Sequence, residues 1–249
     1  MYFILHKERS GIKPGTVQPK RFGALELDMA PDVPGIYAWY AKVALSERDW
    51  EPRLRGDRDL ATFELNRAIM DYVNVHRTGP VHMAGPGKYG LNWSATLNRE
   101  SAADLDEVTE TSRLGLRLAE VSANPEQRRL LADLLLAASP IFASPLYIGV
   151  ATNLRGRLAE HKKAYEAAYA QLRQNPALAD VMQFNGQSLG ERLAGCGIRL
   201  ERLDVWVLPS GTEFLGLGTN DDGRAQRRVV AQNAEWVLQR VFQPVLGRQ

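Results

Sequence analysis

The sequence predicts an α+β protein in which three short strand-like runs are set among longer amphipathic helices. Aromatic and β-branched residues cluster at 36–43, 146–150 and 202–208, whereas apolar residues recur at helical spacing in five other stretches. Composition supports a packed core. The chain has 249 residues, 45% of them hydrophobic, with 21 Gly and 13 Pro, which excludes disordered, collagen-like and low-complexity classes.

Residues 1–40 begin as an irregular arm with Gly11, Pro14, Gly15 and Pro19, and end in the first strand, Ile36 to Val43, introduced by Pro34-Gly35. Residues 41–143 read as a largely helical insertion. Leu60, Phe63, Leu65, Ile69, Tyr72 and Val73 mark a helix from Asp59 to Val75, and only short strands fit the Gly/Pro-dense stretch from Gly79 to Asn98. A further helix starts at Ser101 as N-cap, with Leu105, Val108, Leu116 and Ala119 on one side. Another starts at Pro125 and buries Leu130, Leu131, Leu134 and Leu135.

Residues 144–249 hold the strand Leu146 to Val150 and then a helix capped by Thr152 or Asn153, with Leu154, Leu158, Tyr165, Ala168 and Leu172 as its buried stripe. The strand Arg202 to Leu208 follows. A last helix runs from about Arg224 to Phe242 and is stopped by Pro244.

The 31 Lys and Arg against 29 Asp and Glu announce no partner, but the excess is uneven: residues 1–40 carry +1, 41–143 carry −2 and 144–249 carry +3. Cys196 is the only cysteine, so neither a disulfide framework nor a Cys-rich zinc site is available. A metal would be a hard cation held by carboxylate. No apolar stretch reaches the length of a signal-peptide core or a membrane helix, so the expectation is a reducing, cytoplasmic setting without membrane contact. Gly85-Pro86-Gly87-Lys88-Tyr89-Gly90 lacks the ending of a phosphate loop and reads as a turn.

Chemistry-bearing residues are scattered. Gly35-Ile36-Tyr37 lies on one strand and Tyr147-Ile148-Gly149 on another, while Arg157 and His161 sit one turn apart on the next helix, off its Leu154/Leu158 stripe. Glu235 lies on the last helix among Val230, Val237 and Val241. Together these pieces resemble the GIY-YIG nuclease family. The segment from Tyr147 to His161 is similar to the family signature almost residue for residue. Arg157 and His161 lie ten and fourteen residues past Tyr147, and Glu235 nine residues before Pro244, as in the family. The resemblance covers residues 33–40 and 144–247. It departs from the family in the 109 residues between Tyr37 and Tyr147, in Leu246-Gly247 where an Asn is frequent, and in Val150 at a position that is commonly basic.

The resemblance implies a small mixed three-stranded sheet flanked by helices, with the helical insertion reading or positioning substrate. It implies a DNA endonuclease using one Mg²⁺ (or Mn²⁺) on Glu235, with Arg157 on the phosphate and His161 assisting. Tyr37 or Tyr147 is the base, its phenol lowered by Arg157 and the metal. Arg155, Lys162 and Lys163 flank this site and could grip DNA. Length and the lack of a recognisable DNA-binding tail favour restriction or phage defence, where cutting two strands needs a homodimer or two nicks. The rival reading is a catalytically silent nucleic-acid-binding or regulatory module that keeps the fold.

Overall fold

The computed structural model describes residues 18–56, 58–76, 81–86, 92–97, 113–209 and 221–247, with 81–86, 92–97, 113–117, 184 and 221–228 as backbone only. In chain order its elements are β1 (Lys20–Gly23), β2 (Gly35–Ala41), α1 (Glu47–Trp50), β3 (Leu54–Arg55), β4 (Arg58–Asp59), α2 (Leu60–Val75), β5 (Val81–Pro86) and β6 (Asn92–Leu97). There follow α3 (Arg113–Ala123), α4 (Pro125–Phe142), β7 (Tyr147–Ala151), α5 (Leu154–Gln174), α6 (Ala179–Asn185), α7 (Leu189–Gly195), β8 (Leu203–Pro209) and α8 (Asp221–Phe242). The chain divides into two units, Met1–Lys42 with Ser139–Gln249, and Val43–Ala138.

The first unit is built on a sheet of order β1-β8-β2-β7. It has four strands where three were expected, and every neighbouring pair is antiparallel, so it is not mixed. The extra strand is β1, part of the segment read as an irregular arm. Four residues are too few for alternation to register. What holds β1 is distant: Lys20 to Gly23 pair with Val207 to Asp204, and the Arg21 guanidinium bonds the Asp204 carboxylate, with Nε 3.0 Å from Oδ2.

Strand β2 alternates cleanly, with Gly35, Tyr37, Trp39 and Ala41 buried and the residues between them half-buried. It lies between β8 and β7 and brings the two tripeptides side by side, Gly35 opposite Ala151, Tyr37 opposite Gly149 and Trp39 opposite Tyr147. Helix α5 buries Leu154, Leu158, His161, Tyr165 and Ala168 along one stripe, and Asn153 caps it by accepting from the Gly156 N–H at 2.8 Å. Helix α7 packs on α5 at Gly190, where a Cβ would stand 2.6 Å from the His161 carbonyl oxygen, and its Leu189 and Leu193 are buried. Its capping box, Ser188 with Glu191, is readable in sequence.

The second unit is mainly helical, with short antiparallel pairs β3–β4 and β5–β6. The expected helix from Ser101 falls partly outside the described residues, where α3 begins at Arg113. Helix α4 differs from expectation in its buried face. Leu130 and Leu134 are 59% and 58% exposed, while Arg128 and Ala132 are buried. Arg128 is satisfied there: Nε donates to the Trp50 carbonyl, Nη1 to Thr62 Oγ1 and the Ser122 carbonyl, and Nη2 to Asp59 Oδ2 at 2.7 Å. An apolar count along the helix does not anticipate a buried cation. Likewise on α2, Phe63 and Val73 are exposed and Ala61 and Leu65 carry the burial.

Candidate active site

Tyr37, Tyr147, Arg157, His161 and Glu235 come from β2, β7, α5 and α8, and all lie within the first unit. A cleft of about 520 Å³ is lined by Tyr147, Arg157, His161 and Glu235, with Arg192 and Gln239 among its other walls. Tyr37 does not line it. Its hydroxyl lies 2.7 Å from His161 Nε2, so it is linked to the cleft through that imidazole. The rings of Tyr37, Tyr147 and Trp39 lie 5.6, 5.9 and 6.2 Å from that of His161, the last two edge-on.

The glycines of the two tripeptides explain how the rings come so close. A Cβ at Gly149 would stand 2.7 Å from both Cζ and Oη of Tyr37, and one at Gly35 would meet the Leu208 carbonyl oxygen at 2.5 Å and Leu154 Cδ1 at 2.7 Å. Gly149 is thus a gap in β7 into which the opposite tyrosine leans, and Gly35 lets the first turn of α5 close onto β2.

Arg157 and His161 do not share one exposed face, as their spacing suggested. His161 is 4% exposed and belongs to the buried stripe, whereas the Arg157 side chain is 46% exposed and pairs with Glu160 at 2.8 Å. Four residues along a helix turn about 40°, enough to separate a wall from a rim.

Burial dominates the electrostatics. It holds His161 near 3, well below its ordinary 6.5, with the Arg157 and Arg192 charges adding to the effect, so the imidazole is neutral. The Tyr37 phenol is pushed up by burial and then by Tyr147, and Arg157 offsets only part of this. Arg157 thus acts on the Tyr37 phenol in the expected direction, and burial outweighs it. Glu235 is also shifted up by burial, with Arg157 opposing. Glu160 keeps Arg157 firmly protonated.

Glu235 is held in a specific way. Gln239 Nε2 donates to Glu235 Oε1 at 3.0 Å and to the Ile148 carbonyl, also at 3.0 Å. Among the described residues no group of three or more His, Cys, Asp or Glu side chains gathers to hold a metal. Glu235, half-buried, and the exposed Glu160 are the carboxylates that line the cleft, and Glu160 is paired with Arg157; one carboxylate such as Glu235 fits Mg²⁺, which keeps most of its water and needs only one or two protein ligands.

The proposed DNA-gripping residues lie elsewhere. Arg155 Nε donates to the Ala30 carbonyl at 2.8 Å and so fastens α5 to the segment before β2, while Lys162 Nζ lies 3.5 Å from the Leu25 carbonyl at the protein surface. Lys163 is exposed, and none of the three lines the cleft. Sequence reasoning gave no role to Arg192, which is 8% exposed and stands with Cζ 6.0 Å from the Tyr147 ring centre. It follows the Ser188–Glu191 capping box, the one signal that marks its helix. Gln239 was findable as the residue one turn beyond Glu235.

No helix among the described residues is long and apolar enough to cross a membrane. No protein-family model, curated protein or solved structure matches the chain.

Proposed function

We propose that this chain is a divalent-metal-dependent endonuclease of the GIY-YIG type that hydrolyses DNA phosphodiester bonds, serving restriction or phage defence. One observation carries the reading. Tyr147, Arg157, His161 and Glu235, scattered over 89 positions of sequence, meet at a single cleft, with Tyr37 bonded directly behind His161. The two strands that bear the tripeptides are neighbours despite the insertion between them. The sheet has one strand more than the core the family implies, and β1 is the addition.

The chemistry follows from the residue types. A phosphodiester entering the cleft carries negative charge that grows in the transition state, and the Arg157 fork can bond two of its oxygens. Its present partner Glu160 is an exposed i,i+3 neighbour, and such surface pairs are weak enough for a phosphate to displace. Glu235 would hold the cation, which when bound supplies Lewis-acid stabilisation of charge on the phosphate and leaving oxygen. Water attacks phosphorus, the bond to the 3′ oxygen breaks, a proton passes from the water to a base and the 3′ oxygen is protonated. The products are 5′ phosphate and 3′ hydroxyl ends. Tyr147 and His161 both line the cleft, within reach of a water there, and Tyr37 orients the His161 ring through the 2.7 Å bond between its hydroxyl and Nε2. The second unit would read or position the DNA, and cutting both strands would take a second copy or a second nick.

Incubation with plasmid and single-stranded DNA, with Mg²⁺, with Mn²⁺ or with EDTA, tests the reading. Metal-dependent cleavage is expected, with Arg157→Ala and Glu235→Ala folded but slower by about 10²-fold or more. Unaltered cleavage by the Glu235 variant would sink the metal assignment. DNA binding without cleavage by the native protein would favour a silent binding module instead.

A further inference from the structure

The edge of the sheet and the cleft share one side chain. Among the described residues strand β7 has β2 on one side only, and two carbonyls two residues apart, that of Leu146 just before the strand and that of Ile148 within it, take donors from outside the sheet. The N–H of Leu246, just past α8, takes the first at 2.8 Å, and Gln239 on α8 takes the second. Capping the edge would by itself account for Gln239. Its amide, however, also donates to Glu235.

Both acceptors are oxygens without a proton to give, so only the NH₂ end of the amide satisfies them, and each of its two hydrogens has one partner. The amide nitrogen is therefore committed to both neighbours. Glu235 has rotatable bonds that a cation would have to immobilise, and freezing such a side chain at the moment of binding weakens the binding. Gln239 holds Oε1 in advance and leaves the other carboxylate oxygen for a ligand. Its second anchor, Ile148, lies between Tyr147 and Gly149, so the peptide that sets the tyrosine also sets the carboxylate.

We infer that Gln239 is a positioning residue that fixes the Glu235 carboxylate against strand β7 for a divalent cation; the inference rests on the nuclease reading above. Gln239 lines the cleft beside Glu235, and the role inferred for it is to hold that carboxylate. It acts through Glu235, as outer-shell partners of metal ligands do.

Mn²⁺ binding to the full, DNA-free chain, followed by the electron paramagnetic resonance of the free ion, tests this in the native protein, Gln239→Met, Gln239→Asn and Glu235→Ala. Methionine keeps the length and loses both donors; asparagine keeps the amide but is one methylene short. The expected result is loss of the site in Glu235→Ala and an affinity weaker by about 10- to 100-fold in Gln239→Met. Cleavage by Gln239→Met should show a lower kcat that recovers at raised Mg²⁺, with KM for DNA unchanged. A role confined to the sheet edge predicts lower stability, native Mn²⁺ affinity and no rescue by Mg²⁺, and that outcome overturns the inference alone. Should Gln239→Met fail to fold, Gln239→Asn is read by the same criteria. Equal Mn²⁺ binding by the native protein and Glu235→Ala would overturn the metal reading itself, and the role of Gln239 with it.

Discussion

Gly149→Ala is the sharpest test of how the two tripeptides fit together, because it adds one methyl group and tests packing without reference to any substrate. The new Cβ would stand 2.7 Å from Cζ and Oη of Tyr37 and 2.9 Å from Cε1 of Tyr147, whereas ordinary contact begins at 3.4 Å. The Tyr37 ring must therefore retreat by about 0.7 Å. It is rigid and 1% exposed, and its hydroxyl is committed to His161 at 2.7 Å; the same displacement along that bond stretches it to the outer limit of hydrogen bonding. Overpacking of a core costs about 1–3 kcal/mol. Loss of a buried hydrogen bond adds about 0.5–1.5 kcal/mol. The substitution should thus destabilise the protein by roughly 2–4 kcal/mol, a large part of the ~5–15 kcal/mol typical of a domain. Urea unfolding of the native protein, Gly149→Ala and Gly23→Ala gives the answer. The last is a control strand glycine whose Cβ would meet nothing closer than 3.5 Å. If Gly149→Ala unfolds at the native urea concentration, the close packing of Tyr37 over β7 is refuted.

His161 should leave a mark on acid stability. Its folded value lies near 3 while the unfolded chain titrates near 6.5, so between those limits the unfolded state binds more protons and stability falls as the pH is lowered. His161→Asn should lose this component, with a slope of stability against pH shallower by up to ~1.4 kcal/mol per pH unit; equal slopes in urea unfolding between pH 7 and 4 would contradict the neutral, buried imidazole. In the second unit, Arg128→Met leaves the partly buried Asp59 without its ion partner, along with acceptors at Trp50, Thr62 and Ser122, and should cost about 3–5 kcal/mol. A midpoint within experimental error of the native one would show that the guanidinium is not what organises that helix.

The parts of the structure legible in the sequence are those whose cause is local. Helix α5 announces itself by a cap and an apolar stripe, and β2 by its alternation, and both lie within a residue or two of where periodicity puts them. Strand β1 was invisible because its reason to exist is Asp204 and the edge of β8, 183 residues away along the chain. The exposed Leu130 and Leu134 went unread for a related reason: the periodicity of α4 is real, but a satisfied guanidinium occupies the buried face. For the cleft, spacing named Arg157 and His161 yet could not tell rim from wall, because 40° on a helix decides between solvent and core. Arg192 and Gln239 carry no motif at all; their place is set by helix packing and, for Gln239, by the Ile148 carbonyl it bonds.

The strand order has a consequence for how the chain must fold. Strand β8 lies between β1 and β2 although some 160 residues follow β2 before it, so the middle of the sheet is supplied near the end of the sequence. Nearly every pairing in the sheet is long-range, a pattern of high contact order that makes assembly slow relative to helical neighbours. During synthesis β1 has no strand to lie against until Leu203 to Pro209 have emerged, and β2 waits for β7 across an insertion longer than many domains. The helix bearing Glu235 emerges later still. A growing chain therefore holds the pieces of the cleft apart until α8 has been made.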